Sequence, residues 1–445
     1  MRNIVIICYP NDWHWVLTCE FVNFETLKGN DIEVWDCSLV GENGLKTLVK
    51  RLLGRNKFRN NCKKYLRSKD NVTFVEQKSR RKFLTPTNYA TELLMNYLEL
   101  DENIHNIIYN TVVEKVGALK IQIKKHKKII NHEMHAAEML SVVLSKKTLH
   151  SFDTVVTVNG RFTKNRLVKH WAKQNNSSCL IIEFGRNADT FEIYNRSPHS
   201  VQELTDQTAK YWAEASPLDR NNIAKNYLDD LYNKKTYNKD WRSNIVYNAI
   251  PSYSTKKACV FFASTEIEAA GVSDPNPGES FQNQVQAFNA VVKTLPKEDW
   301  TIFLRLHPPG GDVKKFKSFR SNEWEAEEWT ENVQVIEPMS KVDSIALGMK
   351  VDLAINFWST IAIELMIRGH PNVLTLGQSN WNYLVPEKYV PDVSTFQRYL
   401  KLEHRSVDPE RIYPWAYYLA TLGQSFKVFI FDKKLKKWKF QFTKP

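Results

Sequence analysis

Three groups in this sequence are best suited to chemistry: a histidine stiffened by two prolines, two adjacent hydroxyls at the start of a helical pattern, and a carboxylate closing an apolar run. His307 follows the run Thr301–Leu306 and precedes Pro308 and Pro309. An imidazole fixed at a strand end can give a hydrogen bond or positive charge to a phosphate or a leaving oxygen. A loop histidine capped by a turn would carry the same dipeptide. Ser359 and Thr360 follow the run Leu353–Ile355 through Asn356, at the head of the pattern Thr360–Arg368. Free backbone N–H groups and the helix dipole can hold a phosphate there, or the hydroxyls can serve as plain caps. Glu183 closes Cys179–Glu183 and is followed by Phe184, Gly185 and Arg186. It can act as a general base toward a hydroxyl, or stand as a solvated strand end. Ser264 and Thr265 after Ala258–Ala263, Arg305 inside the histidine's strand, and Asn159, Gly160 and Arg161 after Phe152–Val158 complete the candidates.

These positions share a logic, because each follows a β-branched or apolar run read as a strand. In open parallel sheets, ligands bind outside the carboxyl ends of the strands. Asn3–Cys8, a helix pattern His14–Leu27 and Asp31–Trp35 make one βαβ unit; Phe152–Val158, a helix through Trp171 and Cys179–Glu183 make another. Residues 44–150 read mainly as helices, with a polar and basic interruption near Arg51–Lys82 as a loop-rich insertion. Helices fill Ser200–Tyr232, and 233–257 reads as a linker.

Beyond the linker the alternation is regular. Strands at Ala258–Ala263, Thr301–Leu306, Val333–Ile336, Leu353–Ile355 and Val373–Leu376 are separated by helices at Phe281–Thr294, Lys341–Met349 and Thr360–Arg368. That order predicts a parallel, doubly wound sheet with His307 and Ser359 on neighbouring βα units. The expected architecture is α/β, with two Rossmann-like doubly wound domains facing a central cleft. Residues 1–250 form the first, with a helical insertion at about 44–150; 251–404 form the second, and 405–445 a helix and tail packing back on the first.

The formal net charge is +13, with basic runs at Lys124–Lys128, Arg80–Lys82 and Lys433–Lys439. Nucleic acid, an anionic membrane leaflet and a phosphate-bearing substrate are the partners such a surface suits, and each run taken singly reads as a solvated face. Six cysteines without CxxC or CxH spacing argue against a disulfide framework or a zinc site. No stretch reaches the roughly 18 apolar residues of a membrane helix, and the first apolar run is too short for a signal peptide. A cytoplasmic location is expected.

The C-terminal half resembles the capsule polysaccharide biosynthesis proteins and, at greater distance, the bacterial sialyltransferases and Kdo transferases of GT-B fold. The resemblance rests on His307-Pro308, on Ser359-Thr360, and on the surrounding Ala354–Gly369 with Glu364. In those families both motifs bind the nucleotide phosphate of a CMP-sugar. Glu183-Phe184-Gly185 is similar to the acidic-x-Gly motif that supplies their catalytic carboxylate, with one acidic residue where two are common. The resemblance implies a GT-B-like glycosyltransferase of surface-glycan assembly, with Glu183 and His307 catalytic. Ser264, Thr265, Arg305, Pro308, Asn356, Ser359, Thr360 and Glu364 would face the donor, and Asn159, Gly160, Arg161 and Arg186 the acceptor. The acceptor would be a glycan or lipid-linked glycan, with peripheral contact to the inner membrane surface.

No DxD pair stands at a strand end, and Asp229-Asp230 falls inside a helical pattern, so neither an essential metal nor a cofactor is expected. Competing readings are a polyol-phosphate transferase of the teichoic-acid type, a nucleic-acid-binding protein without RNP, KH or zinc-finger pattern, and an oxidoreductase. The last lacks a GxGxxG after the first strand, where Tyr9-Pro10-Asn11-Asp12 stands.

Overall fold

The structure, a computed structural model, describes residues 2–40, 56–77, 104–116, 121–150, 153–185, 190–198, 200–233, 246–264, 281–307, 324, 329–432 and 437–441. The first unit runs β1 (Asn3–Ile7), α1 (Asp12–Thr26), β2 (Ile32–Asp36), α2 (Asn56–Arg67), β3 (Val72–Glu76), α3 (Ile104–Val116), α4 (Ile123–Leu144), β4 (Thr154–Val158), α5 (Thr163–Gln174), β5 (Ser178–Phe184) and β6 (Thr190–Tyr194). Two helices, α6 (Val201–Glu214) and α7 (Pro217–Tyr232), lead to the second unit. That unit comprises β7 (Lys257–Phe262), α8 (Gln284–Thr294), β8 (Trp300–Arg305), β9 (Val333–Ile336), α9 (Ser344–Lys350), β10 (Leu353–Asn356), α10 (Ile361–Met366), β11 (Val373–Thr375), α11 (Val393–Tyr399) and α12 (Tyr413–Thr421). Then come β12 (Gln424–Ser425), β13 (Phe429–Asp432) and β14 (Lys437–Phe440).

The strand order β3-β2-β1-β4-β5 is parallel throughout, with β6 and β12 added antiparallel beyond β5. Alternate residues of β1 feed two different cores. Val5 and Ile7 join Trp15, Phe21 and Leu66 of α1 and α2, while Ile4 and Ile6 join Leu140, Leu167 and Trp171 of α4 and α5. Helices thus cover both faces, which is why these strands read as continuous apolar runs. Val72–Glu76, expected inside a loop-rich interruption, is the third parallel strand. Its alternating, half-exposed edge position gives no such run.

The second sheet, β11-β10-β7-β8-β9, is wholly parallel. Cys259, Phe261, Ile302, Leu304 and Ile355 pack on Phe288 and Val291 of α8, and Val260, Phe303 and Ala354 on the side of α7, α10 and α12. In both sheets the first strand is central and later strands are added to either side, the doubly wound plan with its switch point between first and fourth strand. Two Rossmann-like units in one chain make up the GT-B-like architecture.

After α12 the chain returns to the first unit. β12 pairs with β6, and the buried carboxylate of Glu20 in α1 accepts from the backbone N–H of Lys427, Val428 and Phe429 at 2.8, 2.9 and 2.7 Å. All six cysteines are free thiols, five of them buried. Among the described residues no helix is long and apolar enough to cross a membrane.

Candidate functional site

The carboxyl edge of the second sheet gathers polar groups that the described residues leave unsatisfied. β7 is the central strand, and its end carries Ser264, 7% exposed. The Ser264 backbone is held by Gln284 at the head of α8, at 2.8 Å through its N–H and 3.1 Å through its carbonyl, yet its hydroxyl has no partner among the described residues. Beside it on β10, Asn356 donates its amide to Leu374 O and Thr375 Oγ1, at 2.8 and 3.3 Å. Its Oδ1 is buried without a partner among the described residues. A buried polar atom left unmet costs on the order of 1–3 kcal/mol, so such atoms concentrate where a ligand completes them.

On the other side of β7, β8 ends in Arg305, 3% exposed. Its guanidinium bonds to neutral partners, Ser344 Oγ at 3.2 Å and the carbonyl of Glu337. No described carboxylate pairs with it, and burial pulls its pKa down to about 10. A buried cation with only neutral partners is poised to take an anion.

His307 follows two residues later and is exposed. Ser359 and Thr360 follow β10, half-buried. β8 and β10 are not adjacent, since β7 lies between them. The imidazole and the hydroxyls therefore share one edge of the sheet about two strand spacings apart, roughly 10 Å, with Ser264 between. Thr360 makes no side-chain cap, and the Ser359 hydroxyl reaches Ile361 N only at 3.5 Å, at the limit of a hydrogen bond. The plain capping role open to them from sequence is thus barely used. Glu364 lies in α10, half-buried, its carbonyl accepting from Arg368 at 2.7 Å. Thr265 and Pro308 lie outside the described residues, as does Arg186.

At the carboxyl edge of the first sheet, Asn159 and Gly160 turn the chain out of β4 with φ of 66° and 71°. A Cβ on Gly160 would stand 2.5 Å from Ile181 Cδ1 at a φ that L side chains rarely adopt, so glycine is favoured there. The turn aims Asn159 at β5, where its Nδ2 donates to Glu183 Oε2 at 2.5 Å. Burial pushes the Glu183 carboxyl above its ordinary value; the N–H of Phe184, the amide of Asn159 and the charge of Arg161 oppose the rise, and Glu114 adds to it. A raised carboxyl is what a general base near neutrality needs. The close approach that Gly185 permits is to Thr190 across the β5–β6 hairpin.

Glu114, Thr111, Trp13 and Phe162 were not singled out by the sequence. Glu114 of α3 lies 3.8 Å from Arg161, bringing a second carboxylate to the site from within the helical insertion. Thr111 of the same helix accepts from Thr163 N at 2.7 Å, capping α5 where its own N-cap residue, Phe162, has no side chain to do so. Trp13, Phe162 and Phe184 line the same edge, with ring centroids 6.2–6.4 Å apart. Among the described residues no three His, Cys, Asp or Glu side chains gather as a metal site; Asp229 and Asp230 lie in α7.

No family description and no curated protein matches the chain. Solved structures align over most of its length. CalG4, the calicheamicin glycosyltransferase, is 10% identical, with 94% of this chain and 95% of that one covered and a TM-score of 0.25. The S. aureus MnaA-UDP structure is 12% identical over 95% and 93%, with a TM-score of 0.25. The α,α-trehalose 6-phosphate synthase of Burkholderia multivorans is 11% identical over 94% and 92%, with a TM-score of 0.31. The architecture stands on the strand orders of the two sheets.

Proposed function

We propose that this chain is a glycosyltransferase that moves a sugar from a nucleotide-sugar, a CMP-sugar by preference, to a growing surface glycan without an essential metal. One observation carries the reading: the buried guanidinium of Arg305, with no described carboxylate against it, ends the strand next to the one followed by Ser264, whose hydroxyl has no partner among the described residues, at the edge where doubly wound sheets take phosphorylated ligands. The donor phosphate would lie over Ser264 between Arg305 and Ser359-Thr360. As the bond from the anomeric carbon to the nucleotide oxygen breaks, Arg305 and His307 stabilise the negative charge left on the phosphate. The acceptor hydroxyl would enter along the first sheet, bond to the anomeric carbon and pass its proton to Glu183. Asn159 holds Glu183 through one N–H of its amide, and Arg161 with the rings of Trp13 and Phe184 would share with it the binding of the acceptor. The resemblance of His307-Pro308 and Ser359-Thr360 to the sialyl- and Kdo-transferase motifs favours CMP. A cytoplasmic place at the inner membrane face accords with the basic surface.

Thermal unfolding with CMP, CDP, UMP, UDP, GDP and CDP-glycerol tests the reading. A ligand at about 100 times its dissociation constant stabilises the native state by about 2.7 kcal/mol. CMP is expected to raise the melting point of the wild type and not that of His307→Ala. A response to CDP-glycerol alone would move the assignment to polyol-phosphate transfer. No response to any nucleotide would remove the donor site.

A further inference from the structure

The two faces of the β13–β14 ribbon differ. The pairs Phe429↔Phe440 and Phe431↔Trp438 form one face, and Ile430↔Lys439 and Asp432↔Lys437 the other. The aromatic face is turned inward: Phe429 and Phe440 lie 5.6 and 6.2 Å from Phe58 of α2, and Trp438 stacks on Phe184 at 5.5 Å. The outer face presents Ile430, 51% exposed, with exposed Lys437 and Lys439. Its acidic residue, Asp432, is paired with Lys439 at 2.6 Å. From Lys427 to Lys444 the sequence holds seven lysines and that single acid. The helix beneath, α2, exposes Lys57 and Lys64.

We infer that this outer face docks on an anionic lipid surface. Clustered ammonium groups around an aliphatic side chain suit headgroup phosphates with the acyl boundary just beneath. A single-stranded nucleic acid would instead call for outward rings on which bases stack, and here the rings point in. The ribbon's inner face reaches Phe184, the neighbour of Glu183. Docking would thus bring the acceptor carboxylate close to the membrane and make the acceptor a lipid-linked glycan, a consequence that rests on the glycosyltransferase reading.

Sedimentation with vesicles tests the docking itself. The full chain is expected to bind vesicles with roughly 30% phosphatidylglycerol at about 0.1 M salt, to release them at about 0.5 M, and to ignore pure phosphatidylcholine. Each lysine neutralised should lower partitioning about fivefold, so Lys57→Gln/Lys64→Gln should lose about thirtyfold, and Ile430→Ser/Lys437→Gln at least fivefold. Circular dichroism identifies any variant that fails to fold, and the other pair then decides. Binding to neutral vesicles as strong as to anionic ones, unchanged binding in a folded variant, or tighter binding to a single-stranded oligonucleotide would overturn the inference. A chain that binds anionic vesicles but answers to no nucleotide keeps the docking face and loses the glycosyltransferase reading; the reverse result does the opposite.

Discussion

Asn159 holds Glu183 from a left-handed backbone position, donating Nδ2 to Oε2 at 2.5 Å while its Oδ1 accepts from Arg161 N at 3.2 Å. Both ends of one amide are committed, so the carboxylate and the arginine backbone are fixed relative to each other. A non-glycine residue at positive φ costs of order 1 kcal/mol or more, and such strain tends to persist where geometry is functional.

Glu183→Gln should lower turnover by about 10²–10⁴-fold in a donor-to-acceptor transfer assay, the range of a lost general base. It should also raise the melting temperature at pH 7. The folded-state carboxyl lies above its unfolded value, so stability falls as pH rises through that window and stays lower above it. The amide removes the penalty, and the difference from wild type should vanish near pH 4. In Asn159→Gly, which keeps the turn but loses the donor, the acid limb of the kcat/KM profile should move to higher pH.

Glu133 of α4 ties the insertion to the site. Burial would raise its carboxyl, but His132, the Lys115 charge and Thr163 at the head of α5 bring it down to about 2. A depressed carboxyl contributes stability that is present above the unfolded value, about 4.3, and is lost as pH falls toward 2. Glu133→Gln should cost on the order of 3 kcal/mol at pH 7 by denaturant titration, with the gap to wild type closing across that window.

Arg305→Met should leave the fold intact and even firmer, because a buried charge with neutral partners is expensive. The melting temperature without ligand should hold or rise, while the nucleotide-induced shift disappears. A variant that keeps the full shift would place the phosphate elsewhere.

Glu20→Ala strips the acceptor from three backbone N–H groups, those of Val428 and Phe429 buried and that of Lys427 partly so. A loss on the order of 3 kcal/mol or more is expected. Limited proteolysis should then cut near 422–428 well before wild type is touched, while Glu20→Gln, which keeps one oxygen, should fall between.

The parts of this fold legible from sequence are those where burial on both faces writes an unbroken apolar run, as in β1, β4, β7 and β10, together with the Asn159-Gly160 turn. Where burial is one-sided or pairing is distant, the signal fades. β3 is a half-exposed edge, and the Phe429–Asp432 and Lys437–Phe440 strands look like a basic tail until the partners of their rings are known. Glu114 reaches Arg161 only through the packing of α3 on α5, which no local pattern encodes. The uncompensated state of Arg305 was equally hidden, since an arginine in a strand gives no hint of what it will lack.

The pairing of β12 with β6 also bears on when the first unit can be finished. Ribosomal synthesis delivers all of β1–β6 long before residues 424–429 exist, and in that interval one sheet edge is open and a carboxylate in α1 awaits its three donors. Edges of that kind recruit other strands, and closure across so long a stretch of chain is slow. The nascent protein therefore passes through a stage in which its earliest-made half is the part most exposed to misassembly, and chaperone demand should peak there.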